Sequence, residues 1–343
     1  MMKRIFNIMM KGTLVALVLF TNVCLVGCDK ESGNETTPNH NAEQKESMEA
    51  KKEEGSHASD VEILERIFQE QRERGVYMPD DITDTNYYVW NEEDRLIGIN
   101  IESCGVSGHM SLEGLTALES LVCNCNELDS LNVSGCTSLV ELDCGNNNLV
   151  NLNVSGCASL VNLTCPYNAL NSLNVNGCAL LEYLDCSDNA LTSLNVNGCT
   201  SLVDLNCSYN KLDSLDISGC TSLVELDCNA NTLTSLDVTR CTVLEVLGCG
   251  GNYLTTLDVS ECIALAELYC NENALTSLDV SQCTVLRYLE CNNNCLTSLN
   301  IRGCTALDIV HCYENALTSL DASGCTTLIE GSLYCDDDCD VEW

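Results

Sequence analysis

Thiols and carboxylates are the reactive side chains this chain carries in quantity. Its 343 residues include 27 cysteines, 4 histidines and 51 acidic against 15 basic side chains, for a formal net charge of -36. Clustered thiols could hold a soft metal, pair as disulfides or pack as small apolar groups, and paired carboxylates could do acid–base work at a glycosidic bond. Hydrolysis or group transfer needs convergence: a nucleophile beside a base, two placed carboxylates, a metal or a phosphate-binding loop. The sequence contains no HExxH, GxSxG, P-loop or dinucleotide fingerprint. His311 with Glu290 and Tyr313 could imitate an acid–base group, but His311 and His109 read as surface histidines. The expectation is a protein that is not an enzyme and needs no cofactor. The acidic balance also argues against gripping nucleic acid or an anionic membrane by charge.

The thiols and carboxylates are placed by a repeat. From Leu118 to about Thr327 the chain repeats every 21 residues, ten times without insertion, as LxxLxCxxNxLxxLx(V/I/A)xxCxx. Counted from each opening leucine, cysteine holds position 6 from Cys123 to Cys312 and position 19 from Cys136 to Cys325, and asparagine holds position 9 from Asn126 to Asn315. A period of this size means a solenoid, in which each coil buries its apolar face against the next. Each unit contains two half-motifs, Leu-x-Cys and Leu-x-Val, that alternate with period two, so two short strands per coil are expected. Coils about 4.8 Å apart would make the array roughly 50 Å long. In-register parallel strands aim their Cβ vectors alike, which favours buried thiols over disulfides in both ladders. Cys335 and Cys339, in Cys-Asp-Asp-Asp-Cys, are the local pair best placed for a disulfide or a metal, while Cys125 and Cys295 fall off the inward register.

The LxxLxCxxNxL segment resembles that of leucine-rich repeat proteins over about residues 96–328, and its nested ten-plus-eleven spacing resembles a short bacterial subclass of them. That resemblance implies a β-rich, right-handed coil stack with parallel sheets, little helix and weak curvature; a horseshoe with one sheet is the alternative. Residues 1–27 carry Lys3, Arg4 and Lys11 before an apolar stretch from Gly12 to Val26, as an export signal does. Leu25-Val26-Gly27-Cys28 resembles the lipobox of bacterial lipoproteins, which implies acylation, palmitate included, at Cys28 and a place in the bacterial cell envelope. Residues 28–60 are polar enough to be a disordered tether. Residues 61–117 should form an N-terminal cap and an opening unit, with one helix over 61–73, and residues 328–343 a C-terminal cap.

Partner choice must lie in what varies between the repeats. Outward positions of the second half hardly change: all ten units have Asn or Asp at position 15, a row read as solvated turn-formers rather than as a calcium ladder. Positions 3 and 5 of the first half differ from unit to unit. They hold an acidic patch of Glu141, Asp143, Asp185, Asp204, Glu225 and Asp227 beside Tyr183, and a mixed patch of Tyr269, Tyr288, Glu290, Ile309, His311 and Tyr313. Tyrosine is a frequent interface anchor, so this face is the expected ligand-binding surface. Residues 118–327 carry only Lys211, Arg240, Arg287 and Arg302 as basic groups, which suits a protein partner with a basic surface, or a glycan, better than a polyanion. A monomer is expected.

Overall fold

A computed structural model describes residues 58–343; the expected export signal, Cys28 and most of the expected tether lie outside the described residues. The chain divides into two compact units, Met1–Ala169 and Leu170–Trp343.

The first unit opens with the helix Ala58–Glu73, which starts three residues before the expected Val61. Val61, Leu64, Ile67 and Phe68 form its buried stripe. Phe68 meets the ring of Tyr88 edge-on at 6.0 Å, and Tyr88 donates its hydroxyl to the Pro79 carbonyl at 2.5 Å. Asp60 is wholly buried, and its carboxylate accepts from Arg95 Nε at 2.7 Å and from the Leu96 amide at 3.2 Å, tying the helix to the first solenoid strand. A buried carboxylate persists only when it is paired and hydrogen-bonded in this way. Tyr88–Trp90 runs antiparallel to Leu96–Asn100 and occupies the edge that the first coil would otherwise leave open. Leu96–Asn100, Ser120–Val122, Glu141–Asp143 and Asn162–Thr164 then form a parallel sheet, with Ser107–Ser111, Glu127–Asn132 and Asn151–Asn153 as a second one.

In the second unit the first-half strands are Tyr183–Asp185, Asp204–Asn206, Glu225–Asp227, Val246–Gly248, Glu267–Tyr269, Tyr288–Glu290 and Ile309–His311. They pair in parallel, each residue facing the one 21 positions on, as Asp204 faces Glu225 and Glu267 faces Tyr288. The last pairing breaks step: Val310 faces Leu333 and His311 faces Tyr334, because the short 3-10 turn Glu330–Ser332 adds two residues. Asp336 then closes the end by accepting from the Glu314 and Asn315 amides at 2.7 and 3.1 Å.

The expected parallel β-solenoid is thus what the chain forms, but the second half falls short of one strand in every coil. It pairs as Leu173–Asn174 with Leu194–Asn195, Ser277–Asp279 with Ser298–Asn300 and Ser319–Asp321 with Asp340–Glu342, with one bridge from Asn195 to Asp216 and no strand over 234–238 or 255–259. The position-15 Asn or Asp turns the chain at the end of this segment in paired and unpaired coils alike: its oxygen accepts from the amide two residues on, as Asp258 does from Ser260 at 3.0 Å and Asp279 from Ser281 at 2.9 Å.

Leucines at positions 1, 11 and 14, leucine or Val310 at position 4, valine, isoleucine or Ala322 at position 16 and both cysteine rows are buried in every coil. The asparagine at position 9 seals the first turn. Asn210 donates to the carbonyls of Cys186, Cys207 and Ser208 at 3.0, 3.2 and 3.2 Å and accepts from the Leu191 amide at 2.9 Å, which answers each backbone group the turn exposes. Position 19 does the same with sulfur. The Cys262 and Cys304 thiols reach the position-16 carbonyls of Val238 and Val280 in the preceding coil at 3.5 and 3.2 Å. Position 8 is left-handed throughout, for instance φ 52° at Tyr209 and Ala230 and 53° at Glu272.

Candidate functional site

Position 4 of each first-half strand is leucine or valine and points into the core, so pleating sends positions 3 and 5 outward. The in-register stack brings outward side chains of successive coils side by side, whatever their type. Parallel ladders therefore turn the sequence column at positions 3 and 5 into a continuous surface.

In the second unit that surface has an aromatic stretch. Glu267 faces Tyr288 and Tyr269 faces Glu290, so two rings and two carboxylates occupy opposite diagonals of a square. The Tyr269 and Tyr288 ring centroids are 5.0 Å apart, tilted by 35°. Each hydroxyl donates along its own strand, Tyr269 to Glu267 Oε2 at 2.8 Å and Tyr288 to Glu290 Oε2 at 3.0 Å. Partial burial and then the carboxylate it serves push the Tyr288 hydroxyl up to about 12, and Tyr269 is raised by the same causes. His311 continues the row at 5.7 Å from Tyr288, 6.3 Å from Tyr313 and 4.7 Å from Tyr334. Three rings surround His311, which is half-buried among them. Tyr334 escapes the sequence repeat because it stands 23 rather than 21 residues after its register partner.

The same face is acidic at Asp185, Asp204, Glu225 and Asp227, beside Tyr183. Asp204 lies between Tyr183 and Glu225 in the ladder. Burial, then the charges of Glu225, Asp185 and Asp227, push its carboxyl up to about 7. Asp185 and Asp227 also have a turn-forming part, accepting from the Ser187 and Asn229 amides at 3.0 Å. Glu141 and Asp143 belong to the first unit, where Asp143 accepts from the Gly145 amide at 3.1 Å. Gly248 sits in register between Asp227 and Tyr269. A Cβ there would come within 2.6 Å of Asn229 Nδ2, and one on Gly250 within 2.6 Å of Asn271 Oδ1, so this coil stays low because its neighbours lean over it.

Burial pushes the ladder thiols up, to about 12 at Cys249 and Cys262, and leaves them little nucleophilic character. Cys125 and Cys295 are exposed. No group of three or more His, Cys, Asp and Glu placed to hold a metal occurs among the described residues. His109 Nδ1 is 2.7 Å from Ser130 Oγ, remote in sequence from the aromatic row.

No family model matches the chain, and no curated protein does. Solved structures do. The functional domain of InlJ from Listeria monocytogenes, described as including a cysteine ladder, is 34% identical over 73% of this chain and 55% of that one, with a TM-score of 0.65. This chain therefore spans about half the length of that structure. A leucine-rich repeat protein of Leptospira interrogans is 23% identical over 67% of each chain with a TM-score of 0.55. The internalin inlF of Listeria monocytogenes is 18% identical over 83% of this chain and 95% of its own, with a TM-score of 0.56. At those two identities the likeness is one of fold, and that fold is the leucine-rich repeat solenoid.

Proposed function

We propose that this chain is a leucine-rich repeat lipoprotein of a bacterial cell surface, anchored by lipid on Cys28, whose solenoid binds another protein without chemistry. The observation that carries this reading is the row Tyr269, Tyr288, His311, Tyr313: contiguous rings on the one face whose side chains differ from coil to coil. Tyrosine buries a large apolar area on binding while keeping a polar tip, and it loses little rotamer entropy. The flanking carboxylates Asp185, Asp204, Glu225, Asp227 and Glu290 give the face a sign. The likeness to InlJ and the internalin supports a surface role of adhesion or neighbour contact. Glycan capture is the second reading, favoured by the same half-buried rings and the exposed Tyr313 beside carboxylates, which could stack on a sugar and bond its hydroxyls.

The test is saturable binding of the full chain, in detergent, to arrays of cell-surface proteins and of glycans, repeated with Tyr269, Tyr288 and Tyr313 replaced together by alanine. A protein ligand lost in the triple variant supports the proposal. Unchanged binding rejects the face, a purely glycan ligand selects the second reading, and no saturable ligand at all leaves a passive envelope spacer. Labelling cells with a palmitate analogue should mark the chain, and Cys28→Ala should abolish the mark.

A further inference from the structure

We infer that the side chain this face is built to seat is an arginine of a basic, extended segment of the partner protein, stacked on Tyr269 and Tyr288 between Glu267 and Glu290. The inference rests on the protein-binding reading above and specifies its chemistry.

Three features of the square support it. The rings lie on one diagonal and the carboxylates on the other, so a planar cation lying on either ring has a carboxylate on each side of it. Each tyrosine hydroxyl donates to a carboxylate, which enriches the ring in electron density and makes its face a better partner for a cation. The corner also has more acceptors than donors. Each glutamate accepts one tyrosine hydroxyl hydrogen and keeps acceptor capacity. Guanidinium combines a flat face for stacking with a fork of five donors; ammonium offers a point charge and no plane. Arg287, next to Tyr288 and exposed, is the nearest cation of the chain's own in sequence, and it has no ion pair among the described residues.

The surroundings extend the fit. The coil before Tyr269 carries Gly248 and Gly250, over which the Asp227, Asn229 and Asn271 side chains close, so a segment crossing it meets polar oxygens and amides there. Beyond it stand Asp227, Glu225 and Asp204. Asp204 is three coils from Tyr269, roughly 14 Å at about 4.8 Å per coil, which about four residues of extended chain span. The matching segment therefore carries an arginine for the rings and a second basic side chain about four residues away for the carboxylates.

Titration calorimetry on the full chain in detergent, with capped nonapeptides of glycine and serine bearing two arginines four residues apart, tests this. Matched peptides carry lysine or citrulline at both places. The arginine peptide should bind at least tenfold tighter than the lysine peptide at 0.15 M salt, and citrulline should not saturate. Replacing Tyr269 and Tyr288 by leucine should weaken arginine binding at least tenfold while changing lysine binding less than twofold. Tyr269→Phe, which keeps the ring, should retain arginine binding within about threefold. Asp258→Asn with Asp279→Asn, equal in charge but on the second half, should alter neither. Equal affinity for arginine and lysine, or arginine binding indifferent to the tyrosines, overturns the inference. If an array partner is lost in the alanine triple variant yet survives Glu267→Gln with Glu290→Gln, the face is right and the arginine is wrong. If no protein partner saturates, the protein-binding reading itself has failed.

Discussion

Cys157 gives its thiol hydrogen to the Val133 carbonyl 24 residues earlier, at 3.3 Å. Asn147 reaches the Cys123 carbonyl across the same 24 residues, at 3.0 Å. The two half-motifs thus solve one problem, a corner carbonyl turned away from water, with an amide on one side and a thiol on the other. The thiol also packs as a small apolar group, which the tight second corner has room for. Cys262→Ala should therefore destabilise by roughly 1–2 kcal/mol, through lost packing and an orphaned carbonyl. Urea unfolding would show it as a lower midpoint with an unchanged slope.

The amide ladder should matter more. Asn210 makes four hydrogen bonds, none of which alanine can replace; aspartate could keep only the one accepted from the Leu191 amide. Asn210→Ala should lower stability by roughly 3 kcal/mol, and Asn210→Asp by at least as much, since a carboxylate would face three carbonyl oxygens. Equal urea midpoints for Asn210→Ala and an exposed control such as Ser214→Ala would contradict the ladder.

Thiol reactivity should divide by burial. In native protein at pH 8, iodoacetamide should alkylate Cys125 and Cys295 within minutes, while the position-6 and position-19 cysteines, buried and raised in pKa, react only after unfolding. Peptide mass spectrometry reads both sets. Ladder cysteines that stay unlabelled in denaturant until a reductant is added would show disulfides instead.

Stability should fall as pH rises through neutrality. Asp204 is raised to about 7 from an ordinary 3.8 by burial and by Glu225, Asp185 and Asp227, so between those values the folded chain holds a proton that the unfolded chain has released. Its contribution is complete below about pH 4 and lost above about pH 7, on the order of 1–2 kcal/mol once solvent screening and the coupling among the four carboxylates are allowed for. The turn-forming aspartates act oppositely: Asp321, lowered to about 2 by Ser323 and Arg302, favours folding until pH falls through that value. A higher urea midpoint at pH 5 than at pH 8, flattened in Asp204→Asn, is expected; a midpoint that rises between pH 5 and 8 would contradict it.

What could be read before any coordinates was whatever the period dictates. Leu118 to Leu307, the asparagine row and both cysteine rows recur because a coil of fixed length needs the same inward volume and the same turn partner each time. What depends on backbone detail was hidden. The left-handed position 8 is filled by residues as different as Cys125, Tyr167, Ala230 and Glu314, so residue type does not mark it. The missing second-half strands near Leu236 and Leu257 have the same pattern as the paired strands near Leu278 and Leu299, and differ only in whether adjacent coils come into hydrogen-bonding range. Tyr183, Asp185, Tyr269, Tyr288, Glu290, His311 and Tyr313 could be placed on one face from the repeat alone. Which of them touch, and that Tyr334 joins them, follows from ring geometry and from two added residues in the cap.

The most direct test of recognition by the first-half face is oxidative footprinting of the tyrosines, with hydroxyl radicals, in the presence of a saturating protein partner. Tyr269, Tyr288 and Tyr313 should lose most of their reactivity, while Tyr77 and Tyr253, 80% and 62% exposed away from that row, keep theirs. Protection at Tyr253 or Tyr77 with none at Tyr269 and Tyr288 would contradict the account.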